Sequence, residues 1–179
     1  MSNDKTITVH VKPAIAAITP YAMARMSHHF FEAGRQYVPV GKEVPLVKYY
    51  LYCASIELAA KAAVLATDCT PEHKEQLRKQ IGHDLVKALT KLTDHYDTNF
   101  LGEADHEVIA KVNPYFKGKG LEYFTLEMMG VALTGYKALP AIADLEAVAV
   151  KLQEFATSHQ HFKHATTSHQ PQGGVISFV

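Results

Sequence analysis

The stretch Leu51-Tyr52-Cys53-Ala54-Ser55-Ile56-Glu57-Leu58-Ala59-Ala60-Lys61-Ala62-Ala63-Val64-Leu65-Ala66 decides the fold. Leu51, Ala54, Leu58, Ala62 and Leu65 recur at helical spacing and form one stripe. Ile56, Ala59, Ala60, Ala63 and Val64 make much of the remaining circumference apolar as well. A helix that is apolar nearly all round is either central in a bundle or pressed into a second chain. The pattern predicts this helix over residues 46–67. Between Leu51 and Ala66, Glu57 and Lys61 alone are charged.

Helix signals continue on both sides. Thr19-Pro20 places a hydroxyl at an N-cap and proline at the first helical position, starting a helix that should reach Gln36. Met23, Met26, Phe30 and Ala33 would form its apolar side. Residues 38–45 hold two prolines and a glycine and read as a loop. Thr70-Pro71-Glu72 starts a short helix that should end near Gly82. Asp84 is a natural N-cap for another, from Leu85 to about Tyr96, with Leu85, Ala88, Leu89, Leu92 and Tyr96 inward. A further helix should cover Glu103 to Val112 and stop before Asn113-Pro114.

Lys117-Gly118-Lys119-Gly120 is basic and glycine-rich. The stretch 121–136 is rich in aromatic and branched residues, with Gly130 inside it, and reads as a β-hairpin; Leu126, Met128 and Met129 make a helix its competitor. Pro140 should start the last helix, to about Ser158, with Leu145, Val148, Leu152 and Phe155 on one face. Thr6 to Val11 alternate as a short strand would. The expected fold class is thus mainly α, with a small β-hairpin insertion near 121–136. The expected organisation is an N-terminal extended segment (1–19), a helical domain (20–158) and a histidine-containing C-terminal tail (159–179).

Composition bounds the function. A chain of 179 residues suits one domain with short appendages. Lysine plus arginine and aspartate plus glutamate each number 18, so formal net charge is zero. A protein that coats nucleic acid is usually basic, because neutralising phosphates supplies much of its affinity; a local basic groove remains compatible with this balance. Cys53 and Cys69 form no CxxC pair and no disulfide framework. No signal peptide and no run of about 20 uninterrupted apolar residues is evident, so a cytoplasmic protein without a membrane span is expected. No Walker loop, nucleophile elbow or Rossmann glycine pattern occurs, and no cofactor is expected.

Glu57 and Lys61 stand four residues apart with the acid first. On a mostly apolar helix such a pair needs partners. It closes on itself or on another helix, or it lines a groove and orients a polar ligand. Gly82-His83-Asp84-Leu85 joins a helix stop, a histidine and a helix start. His83 is held between two elements; it suits a general acid or base, and equally a bond to a backbone carbonyl that fixes the bend. His159, His161, His164 and His169 could suggest a metal, but no acidic residue follows Glu154 to complete a site, so a solvated tail and no metal are expected.

The order Ser55-Ile56-Glu57-Leu58-Ala59-Ala60-Lys61, a short segment, then Gly82-His83-Asp84-Leu85 opening an amphipathic helix resembles the HEPN family. The likeness is plainest from about Tyr49 to Leu92. Asn113-Pro114-Tyr115-Phe116 and Leu121-Glu122-Tyr123-Phe124 extend it across roughly residues 20–158. The resemblance implies an up-and-down helical bundle, often a homodimer. It implies a role in RNA cleavage, in nucleotide or RNA binding, or in partnership with a nucleotidyltransferase. Family ribonucleases carry an arginine, four to six residues and a histidine in a late helix, acting across a dimer without metal. Here the arginines are Arg25, Arg35 and Arg78, so that motif is missing from its usual place. Arg78 and His83 match the spacing but lie early in the chain.

Three readings follow. The leading one is a dimeric module that pairs through the apolar second helix and binds a nucleotide, RNA or protein at a groove edged by Glu57, Lys61, His83 and Asp84. The second is a metal-independent ribonuclease using Arg78 and His83. The third is a purely structural interaction subunit.

Overall fold

The computed structural model describes residues 19–39, 44–121 and 139–158. The expected strand over 6–11, the hairpin over 121–136 (all but Leu121) and the histidine tail lie outside them. Among the described residues there are six helices and no strand. They are α1 (Pro20–Gln36), α2 (Leu46–Thr67), α3 (Pro71–Ile81), α4 (Leu85–His95), α5 (Glu103–Lys117) and α6 (Ile142–Ser158). The fold is a mainly helical bundle.

Three N-caps act as their residue types require. Thr19 accepts from the Ala22 N–H at 3.1 Å, Thr70 from His73 at 3.3 Å and Asp84 from Lys87 at 3.2 Å. The first helix of the three packs along α2, which also meets α6 and α4. Tyr52, Cys53, Ile56, Ala60, Ala62, Ala63 and Val64 on α2 are fully enclosed. Alanine at so many of these positions lets several helices approach one axis. The apolar circumference is therefore spent inside this chain, and α2 is the central helix of the bundle. Its length and hydropathy would also suit a membrane span, but two-thirds of that stretch is buried in the protein's own core.

Side-chain pairs give the helix directions. Ser27 meets Ser55 and Gly34 meets Tyr52, so α1 runs antiparallel to α2. Tyr49 meets Pro140 and Ser55 meets Gln153, so α6 runs parallel to α2. Asp105 meets Lys151 near the start of α5, and Phe116 meets Tyr50 near its end, so α5 runs against both.

Local expectations need correcting at three points. The buried face of α1 is Pro20, Ser27, Phe31 and Gly34, while Met26 and Ala33 are exposed. A Cβ on Gly34 would stand 2.7 Å from the Tyr52 ring, so glycine there sets the close approach of the two helices. The fifth helix runs through Asn113-Pro114 to Lys117. Proline removes one backbone donor, yet the last turn is anchored by the buried Phe116 and by bonds from Asn113 and Lys117 to the start of α4. The last helix begins at Ile142, not at Pro140, whose carbonyl accepts from the Tyr49 hydroxyl.

Candidate functional site

The α3–α4 bend sits beside the middle of α2. Gly82 ends α3 at φ +54°, ψ −124°, a backbone conformation that side chains rarely allow. Its carbonyl accepts from the Lys61 ammonium. The same ammonium is ion-paired with Glu57, one turn back on α2. The second oxygen of Glu57 meets His83 Nδ1 at 3.2 Å. One enclosed carboxylate therefore binds a lysine through one oxygen and a histidine through the other. Glu57 and Lys61 side chains are 7% and 13% exposed, whereas His83 is 51% exposed. The charges are compensated before they are buried, and the imidazole keeps one side open.

Asp84 faces differently. Besides capping α4, it accepts from Asn113 at 3.1 Å and from Lys117 at 2.8 Å. Asn113 also accepts from the Leu85 N–H at 2.8 Å, satisfying a second free donor of the helix start. Burial by itself would raise the Asp84 pKa. The bonds from Lys117, the Lys87 N–H and Asn113 outweigh it and hold the carboxyl below its ordinary value. Phe116 completes the corner, its ring perpendicular to that of His83 at 5.9 Å and 6.0 Å from Tyr50.

Glu57, Lys61, Gly82 and His83 thus converge, with Asp84 adjoining them on a separate set of partners. Arg78 does not join them. Its guanidinium lies on the outer surface of α3 and binds Glu75 with two bonds, of 2.9 and 2.8 Å. The bond from Arg78, against the desolvation that would raise it and with Lys79 in support, holds the Glu75 carboxyl down at about 2. His83 is not sealed against a carbonyl; a carboxylate holds it.

The sequence reading missed Asn113, Phe116 and Lys117 as members of this corner. Treating Asn113-Pro114 as a stop hid the first two. The basic run Lys117-Gly118-Lys119-Gly120 was the available signal for the third.

Near the opposite end of α5, Phe100, Lys151, Glu154 and Phe155 line a cavity of about 280 Å³. The Phe100 and Phe155 rings stack at 4.9 Å, and Lys151 binds the Asp105 carboxylate at 2.7 Å. None of the candidate site residues read from the sequence lies there, although Phe155 was expected on the apolar face of the last helix. Among the described residues, no group of three or more His, Cys, Asp or Glu is placed to hold a metal ion. Comparison with protein-family models, curated proteins and solved structures finds no match to this chain.

Proposed function

We propose that this protein is a HEPN-like binding module that works as a homodimer and takes a phosphate-bearing partner, RNA or a nucleotide, at the corner between the α3–α4 bend and the end of α5. The carrying observation is His83: its ring is aimed by Glu57 and Phe116 and half of its side chain stays open. Lys61 and Lys117 bring two ammonium groups to the corner, each paired with a carboxylate, Glu57 and Asp84. The likeness of the two motifs to the HEPN family supports the same reading, because those motifs supply Glu57, Lys61 and His83. With α2 spent inside the chain, a second copy would have to meet another surface.

Binding of a labelled single-stranded RNA, followed by fluorescence anisotropy at low salt, tests this. Saturable binding is expected, weakening steeply as salt rises. His83→Ala and Lys117→Ala should weaken it, and Lys91→Ala at the far part of α4 should not. Absence of saturable binding, or a strictly monomeric sedimentation profile at micromolar concentration, overturns the reading.

The ribonuclease reading stands second because a carboxylate-oriented imidazole is what a general base requires. Pairing of Arg78 with Glu75 weighs against the arginine half of that reading. Cleavage of RNA in excess chelator, abolished by His83→Ala, would revive it. If His83→Ala lowers the melting temperature and changes no binding, the corner is purely structural.

A further inference from the structure

The two nitrogens of an imidazole stand on opposite sides of the ring. With Nδ1 on Glu57, the Nε2 of His83 points away from that carboxylate. An ionised carboxylate only accepts, so the neutral ring keeps its hydrogen on Nδ1 and carries a lone pair on Nε2. The ring cannot easily turn, because Glu57 is itself fixed by Lys61 and Phe116 packs edge-on against the imidazole. His73 makes the nearest comparison. Its Nδ1 lies 3.6 Å from the exposed Asp68, but its Nε2 is enclosed with no hydrogen-bond partner. His83 combines an Nδ1 held by a carboxylate with a side chain that is half exposed.

We propose that His83 Nε2 is a modification site, a nucleophile that accepts a phosphoryl group from a phosphoramidate, meaning a donor with a P–N bond such as a phosphorylated histidine. The Nε2 lone pair forms the new N–P bond while the donor's P–N bond breaks. The leaving nitrogen departs with that electron pair, as ammonia from N-protonated phosphoramidate or as neutral imidazole from a phosphorylated histidine whose other ring nitrogen carries the proton, so nothing is oxidised or reduced. Positive charge develops on the ring, and the Nδ1–H bonded to the Glu57 carboxylate stabilises it. The product places an anionic phosphoryl group at the corner, its charge partly offset by the cationic ring. It would expel an anionic partner, a consequence that rests on the binding reading above; the modification itself does not.

The full-length protein, incubated with potassium phosphoramidate at neutral pH, tests the proposal. Phosphate should reach His83 severalfold faster than the exposed His28, His29 and His106, as mapped by fragmentation mass spectrometry under non-acidic conditions. Nitrogen-15 NMR of the unmodified protein should show His83 protonated at Nδ1 and bare at Nε2. Glu57→Gln should lower His83 labelling to the rate of the exposed histidines; should that variant not fold, the rates and the NMR tautomer of the native chain decide. Labelling of His83 no faster than the others, attachment at Nδ1, or a proton on Nε2 overturns it. No RNA enters the assay, so failed labelling and failed RNA binding are separate results.

Discussion

Ser55 and Glu57 are two residues apart on α2 and face opposite sides of the helix. Ser55 looks into a neutral cluster. The Ser27 hydroxyl donates to the Ser55 carbonyl at 2.7 Å, and the Gln153 amide donates to Ser55 Oγ at 3.0 Å and to Ser27 Oγ. All three side chains are buried, and they tie α1, α2 and α6 at one level. Glu57 looks into a charged cluster that ties α2 to the α3–α4 bend and ends at a half-open histidine. Both clusters satisfy their buried polar groups, as interiors require. They differ in what is left over. The serine cluster encloses its polar atoms and fixes helix register. The glutamate cluster leaves one titratable ring within reach of another molecule.

Variants on the two sides should therefore separate stability from function. Glu57→Ala should have the largest effect, about 3–5 kcal/mol, because it strands a mostly enclosed lysine. It should also abolish any function of His83, and a denaturant midpoint near that of the native chain would break the account of the charged cluster. Gln153→Ala should cost about 1–3 kcal/mol by leaving two buried serine hydroxyls short of a partner. Its affinity for RNA, measured on the folded fraction, should be unchanged; a loss would show that the two sides of α2 are coupled. The smallest effect concerns pH. The folded Asp84 carboxyl titrates below its unfolded value near 3.9. Its stabilisation is complete above that value and is lost as pH falls through the depressed folded value. Asp84→Asn should flatten the acid limb of a stability-against-pH curve, and an unaltered limb would remove Asp84 from the account.

Much of this architecture was legible along the chain. Thr19-Pro20, Thr70-Pro71 and Gly82-His83-Asp84 mark helix ends through backbone chemistry that acts within a few residues, and α1, α3 and α4 start at them. Where the reading went astray, a long-range contact prevailed over a local rule. Pro114 signals a stop, but Phe116, Asn113 and Lys117 hold the final turn of α5 against α4 and α2. Met26 is more apolar than Ser27, yet Ser27 faces inward, because Ser55 and Gln153 meet it there.

The sequence by itself determined that α2 is a helix, that it has no polar face to show water, and that Glu57 and Lys61 share one side of it. Those properties follow from spacing and residue type. It also determined that Gly82 and Asp84 bracket His83 in a bend. Only the tertiary structure decided that the apolar surface of α2 is consumed by α1, α4 and α6 of the same chain. It alone carried His83 across 26 residues to the second oxygen of Glu57 and brought Lys117 to Asp84. The physical reason is that spacing fixes which side chains share a face, whereas the partner of a buried charge is chosen by whichever element packs against it.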